Sequence, residues 1–273
     1  MKKYTGKKKY PRALMAFLGI AILSVATSLQ SYAQSAASPD SNAQASARKW
    51  HFLLEPYLML PNINGTVGSG TLPEAGIDEN PGDIFNHLQI GAMAYAEVYS
   101  DRWVISSDLT YMKLGQDIVP SKVISSGHAD LKQLAWELAV MKRLKPWLSL
   151  GLAGQLNSMT TDLDITGLAT GVPVTSNRSF TKTWVDPSIV AAVKLPLSRK
   201  FTLRTRGNIG GFGIGSKIFW QLQVYADYHI GRLCQVSAGY RVIKVDYEKG
   251  SGDDYFLYNV TTFGPVLRFG FNL

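Results

Sequence analysis

In the stretch IFWQLQVYADYHI (218–230), side chains alternate without a break. Ile218, Trp220, Leu222, Val224, Ala226, Tyr228 and Ile230 fall on one face of an extended chain. Phe219, Gln221, Gln223, Tyr225, Asp227 and His229 fall on the other. Ordinary soluble strands run to about 5–6 residues, whereas about 9–11 are needed to cross a bilayer at a tilt, so this run has membrane length. A soluble sandwich also alternates. It seldom sets Trp and Tyr near both ends of so long an apolar face, as a membrane barrel does at its two interfaces.

The same test from Trp50 onward gives ten strands, at 50–60, 88–99, 103–115, 131–142, 147–161, 181–195, 201–212, 218–230, 234–246 and 256–273. After odd strands come the longer connections 61–87, 116–130 and 162–180, the glycine turn 213–217, and 247–255. After even strands come SDR, LKP, PLSRK and GRL. Long loops on one side and short turns on the other are the pattern of an outer-membrane barrel, with the short turns periplasmic. An even strand count returns the C-terminus to the side of the N-terminus. The fold expected is all-β, an antiparallel transmembrane β-barrel of ten strands, or eight if two segments are loops. The apolar alternation of Phe263, Pro265, Leu267, Phe269, Phe271 and Leu273 reads as a closing strand, the segment the barrel-assembly machinery would engage.

The chain begins with a basic segment, MKKYTGKKKYPR, followed by the apolar ALMAFLGIAILSVA, too short for a comfortable spanning helix. Ser31 and Ala33 then supply small residues for cleavage, so 1–33 reads as a signal peptide, 34–49 as a flexible periplasmic lead-in and 50–273 as the barrel. Six of the 28 basic residues belong to the leader. The remainder nearly balance the 20 acidic ones, which removes the case for nucleic acid. Cys234 is the only cysteine, and the four histidines have no ligand spacing, so neither a disulfide nor a metal or other cofactor is expected.

If apolar faces meet lipid, the opposite faces line the lumen. The inward acids are then Glu55, Glu97, Asp108, Glu137, Asp186 and Asp227. The inward bases are Lys182, Lys194, Arg204, Arg206, Arg241 and Arg268, with His229 titratable among them. An unpaired charge in a narrow interior costs several kcal/mol, and about ten strands leave a lumen that side chains can fill, so an ion-paired interior is expected.

Catalytic readings are weaker. Asp162 with Asp164, and Asp227 with His229, resemble the acidic pair and Asp–His pair of the omptin proteases. The alternation sets them at opposite ends of the membrane, roughly 25 Å apart, too far for shared proton transfer. His128 with Ser125 and Ser126 sits in an outer loop without a G-x-S-x-G motif. Asp78, Glu79, Asp83, Asp253 and Asp254 read as solvated loop acids. In RTRGNIGGFGIGSK (204–217) the glycines precede a strand, not the helix a phosphate loop requires, so they read as a tight hairpin.

Several motifs taken together, WVDPSIVAAVKLPL (184–197), RGNIGGFGIGSKIFWQ (206–221), AGYRVIKVDY (238–247) and TTFGPVLRFGF (261–271), with WHFLLEPYLMLPNINGTVG (50–68), carry a resemblance. The chain resembles a family of largely uncharacterised Gram-negative outer-membrane β-barrels marked by W-x-DP, GGFG-x-GS and GYR-x4-DY ahead of a GP-containing last strand. The resemblance implies location in the outer membrane and supplies no substrate. Asn208, where the pattern suggests an acid, and the terminal Leu273, where such strands usually end in Phe, depart from it. The function expected is a non-enzymatic, monomeric barrel, structural or passing small solutes narrowly, in contact with outer-membrane lipid and lipopolysaccharide. The alternatives are a surface binding or adhesion barrel acting through 61–87 and 162–180, or an outer-membrane enzyme.

Overall fold

The computed structural model describes residues 50–70, 73–118, 124–169 and 172–273; the expected signal peptide and lead-in lie outside the described residues. The strands are β1 (His51–Met59), β2 (Asn62–Ser69), β3 (Ala75–Glu79), β4 (Leu88–Tyr99), β5 (Trp103–Ile118), β6 (Ile124–Lys145), β7 (Leu148–Ala169), β8 (Val172–Pro196), β9 (Phe201–Gly210), β10 (Ile218–Ile230), β11 (Cys234–Lys249) and β12 (Phe256–Asn272). One short helix, α1 (Pro81–His87), joins β3 to β4. Ten strands, β1 and β4 to β12, pair antiparallel in chain order, and β1 returns to β12 to close the barrel. Closure leaves no unpaired edge in lipid, the condition any sheet must meet to span a bilayer. The fold is a ten-stranded transmembrane β-barrel.

The seam explains the GP pair of the last strand. β12 pairs with β1 over Val266–Asn272 and with β2 over Phe256–Phe263. Between them the wall breaks at Leu60 and Pro61, where the Leu60 N–H reaches the Pro265 carbonyl at 3.0 Å. A Cβ on Gly264 would lie 2.0 Å from the Leu60 carbonyl oxygen, so only glycine admits this approach.

Lipid-facing positions are large, apolar and exposed, among them Leu58, Ile105, Leu138, Leu152, Ile189, Leu222, Leu267 and Phe269. Trp103, Phe201 and Tyr228 ring the short-turn end, and Trp136 and Trp220 lie toward the other. From Trp220 to Tyr228 is about 26 Å of strand, or roughly 20 Å along a barrel axis tilted by about 40°, close to the apolar height of an outer membrane.

The outer end departs from expectation. β6, β7 and β8 continue through 124–130, 162–169 and 172–180, where loops are expected, and 61–87 holds β2, β3 and α1. In β7 and β8 the outward face changes from Leu152, Val185 and Ile189 to hydroxyl pairs, Ser158 with Thr183 at 3.0 Å and Thr160 with Thr181 at 2.8 Å. Beyond that level water replaces lipid: the outward face turns polar at Lys132, Asp162 and Asp164 while the inward face carries Leu131, Leu163, Ile165 and Phe180, so the lipid-facing apolar pattern ends. In α1, Asn80 caps the Gly82 and Asp83 N–H groups at 2.8 and 3.2 Å, while the Asp83 carboxylate accepts from the Asn80 N–H. Asp83 is therefore a capping residue, and Asp78 accepts from Asn64 Nδ2 at 3.3 Å.

Candidate functional site

Inward positions from seven strands meet at mid-barrel in one hydrogen-bonded layer. Glu55, on β1 and fully buried, receives Arg204 Nη2 at 2.7 Å, Gln235 Nε2 at 2.7 Å and Arg268 Nη1 at 3.2 Å. Arg204 turns its Nε to Asp227 Oδ2 at 2.6 Å. Asp108 accepts from the Tyr57 hydroxyl at 2.6 Å and pairs with Arg241 Nη1 at 3.2 Å, and Arg268 Nη2 stands 3.7 Å away. Glu137 binds Arg206 and Gln221, and receives Asn208 Nδ2 at 2.8 Å. Four guanidinium groups thus face four carboxylates. Such burial is tolerated because each arginine fork is met by an anion while amides and hydroxyls take several of the remaining valences, the Nε groups of Arg206, Arg241 and Arg268 excepted.

Sequence reasoning missed the tyrosines of this layer. The Arg268 guanidinium lies 4.2, 4.8 and 4.9 Å from the ring centres of Tyr225, Tyr95 and Tyr57, and donates to the Tyr225 hydroxyl at 2.9 Å. Three ring faces around one desolvated cation add cation–π attraction to the ion pairs. Parity was the available signal, because Tyr57 shares a face with Glu55, Tyr95 with Glu97, and Tyr225 with Asp227.

On the outer side of this layer, three of the sequence motifs meet. Asp186 of W-x-DP accepts from the Ser216 N–H at 2.6 Å, the Ser216 hydroxyl at 2.9 Å, Trp184 Nε1 at 3.0 Å and Asn157 Nδ2 at 3.1 Å. Ser216 ends the glycine motif, and Tyr247 of GYR-x4-DY stacks on Trp184 with ring centres 4.2 Å apart. Residues 211–217 therefore form no tight hairpin. They dip into the mouth, with Gly211, Phe212 and Gly213 all in the left-handed region. A Cβ on Gly215 would meet the Val185 carbonyl oxygen at 2.2 Å, so close approach over β8 joins turn geometry in requiring glycine here. Phe219, Phe256 and Tyr258 complete this aromatic cluster.

Other expected lumen residues lie apart from the ion-pair layer. Asp186 is held by neutral donors, not by a base. Glu97 accepts from the Tyr95 hydroxyl at 2.5 Å. Lys182, near the outer rim, donates to the Asp254 carbonyl at 3.3 Å, and Lys194 is exposed, 5.5 Å from the Tyr99 ring centre. Lys194 sits near the end of β8 and Lys182 where β8 rises past the lipid level, so each long stem reaches water and escapes the cost of burial. The expected six-against-six pairing is thus a four-against-four core. Asn208 has a reason in this arrangement: its amide donates to Glu137, where an acid would repel it.

The candidate catalytic pairs are engaged elsewhere. Asp227 is bound to Arg204, and His229 Nε2 contacts the Thr202 hydroxyl at 3.0 Å. Asp162 faces outward on the polar extension, held by Lys132 at 2.6 Å and the Ser179 hydroxyl at 2.5 Å, and these contacts lower its pKa. His128 lies between Asp117 at 2.7 Å and Asp130 at 3.2 Å, and the hydrogen bond to Asp117, then that to Asp130, raises its pKa. Ser126 is exposed, and the side chain of Ser125 is outside the described residues. Among the described residues, no group of three His, Cys, Asp or Glu is arranged to hold a metal ion.

No protein-family model and no curated protein matches the chain. Among solved structures, it is similar to the outer membrane protease OmpT of Escherichia coli, at 9% identity over 86% of this chain and 99% of that one, with a TM-score of 0.49. It is also similar to Ail, the attachment invasion locus protein of Yersinia pestis, at 9% identity over 83% and 99% of the two chains and a TM-score of 0.33. A third similarity is to the toluene transporter TodX of P. putida, at 8% identity over 86% and 91% and a TM-score of 0.31. A protease, an attachment protein and a transporter at such low identity have no activity to lend this chain; the likeness concerns barrel architecture alone.

Proposed function

We propose that the protein is a monomeric, non-enzymatic barrel of the Gram-negative outer membrane whose lumen is closed to ordinary solutes, leaving a structural role or narrow passage. The observation that carries this reading is the layer of four arginines and four carboxylates across the barrel, with the Trp184–Asp186–Ser216 cluster above it. A wide diffusion channel keeps its charges on the wall and its axis wet. The apolar belt with aromatic rims suits outer-membrane lipid, and the acid–base ladder of Lys113, Asp130, Lys132 and Asp162 above it stands at the height of lipopolysaccharide headgroups. The closing strand would serve recognition by the barrel-assembly machinery. The interlocking of the three motifs in space supports membership of the motif-defined family, because each supplies a part the others need.

A second reading, a surface-binding barrel, is favoured by the β6–β7–β8 extension beyond the lipid belt, which offers a firm platform in place of loose loops. Solute entry tests the first reading. Proteoliposomes carrying the refolded barrel are expected to swell in a monosaccharide no faster than protein-free vesicles. Swelling at the rate given by a diffusion porin would overturn the closed lumen.

A further inference from the structure

On the periplasmic side of the ion-pair layer the barrel opens into a small vestibule, with a cavity of about 70 Å³. Its charge is one-sided. Arg143, Lys194, Arg204, Arg206 and Arg268 line it, against Glu97 as the lining acid. Arg204, Arg206 and Arg268 turn their forks to the carboxylates of the layer, and the buried Nε groups of Arg206 and Arg268 have no acceptor. Arg143 and Lys194 differ from these. Among the described residues neither has a carboxylate within 4.0 Å. Their cationic heads instead stand 5.7 and 5.5 Å from the centre of the Tyr99 ring, on which His51 is stacked.

Strand parity turns both residues to the lumen, Arg143 in step with Glu137 and Met141, and Lys194 in step with Val190. They are therefore not lysine and arginine of the lipid face reaching for headgroups from outside. An aromatic ring holds them in place without consuming their N–H donors. A cleft lined by one sign of charge, with low-dielectric walls, concentrates counter-ions, and guanidinium and ammonium groups bind oxyanions through charge-assisted hydrogen bonds. Trp147, Pro146, Val104 and Met141 form an apolar wall beside the cations.

We propose that this vestibule is a periplasm-facing oxyanion site for a small organic phosphate, bound by Arg143 and Lys194 at the rim. The phosphate could be a soluble ester or a lipid headgroup, and the site's chemistry is the same for both. The inference goes beyond the closed-lumen reading and does not rest on it, since a leaky lumen would leave these cations where they are.

The test is calorimetric titration of glycerol 3-phosphate into the full refolded barrel in neutral detergent, with glycerol as the uncharged control. Saturable binding of the ester alone is expected. R143A/K194A should weaken it at least tenfold, and E97Q should tighten it severalfold. Both rim residues lie outside the ion-pair layer, and retained heat-modifiable migration on gels verifies that the double variant is folded. Loss of the signal in phosphatidylglycerol nanodiscs would identify the lipid headgroup as occupant, whereas binding in both media would identify a soluble ester; each outcome supports the site. Absence of saturable binding in detergent, or equal affinity in the folded double variant, would overturn it.

Discussion

Arg204→Ala is expected to lower the unfolding free energy of the barrel by about 3–5 kcal/mol, the cost of breaking a buried ion pair from one side. Arg204 bridges Glu55 and Asp227, which are 0% and 1% exposed. Glu55 would keep Arg268 and Gln235, but Asp227 would lose its ion pair and remain buried as an uncompensated anion. Urea unfolding in lipid vesicles, followed by tryptophan fluorescence, measures the loss. Adding Asp227→Asn to the variant should recover part of it, because removing both charges is cheaper than removing one. A loss below about 1 kcal/mol, in the range of an exposed pair, would mean that the layer is hydrated and screened.

The second large effect is expected at Asp186. Replacement by alanine strips the acceptor from four donors at once, the N–H and hydroxyl of Ser216, Trp184 Nε1 and Asn157 Nδ2. Each buried donor left unmade costs about 1–3 kcal/mol, and Trp184 retains a bond to the Ser216 hydroxyl at 3.1 Å, so a net loss of about 3–5 kcal/mol is expected. Segment 211–217 should lift from the mouth and become open to protease while the wall strands stay paired. Limited proteolysis with mass mapping reads this directly. A variant as resistant as the parent would show that the glycine segment is held by turn geometry alone.

The two sites were legible in the sequence to different degrees, for a physical reason. Period-two alternation in 218–230 and 263–273 identifies a strand face against lipid, and the same parity assigns Glu55, Asp108, Glu137, Asp227, Arg204, Arg206, Arg241 and Arg268 to the interior. Parity fixes a face but not a depth. It therefore cannot separate Arg268, closed in by three tyrosines, from Lys194, which shares the inward face and reaches water at the rim. Nor does it show that Asp186 finds its partners in a loop some thirty positions later. That contact depends on Gly215 clearing the β8 backbone, a requirement visible only in three dimensions. The extended hairpins of β6 to β8 were hidden because above the lipid their outward face turns polar, at Lys132, Asp162 and Asp164, and the apolar lipid-facing stripe stops.

The central claim is that paired charges close the lumen, and single-channel recording in planar bilayers tests it most directly. The unmodified barrel is expected to be silent. Arg206→Ala combined with Glu137→Ala removes one ion pair whole, without leaving an orphan charge, and should produce discrete conductance steps. Steady steps from the unmodified barrel, unchanged in the double variant, would contradict the closed lumen.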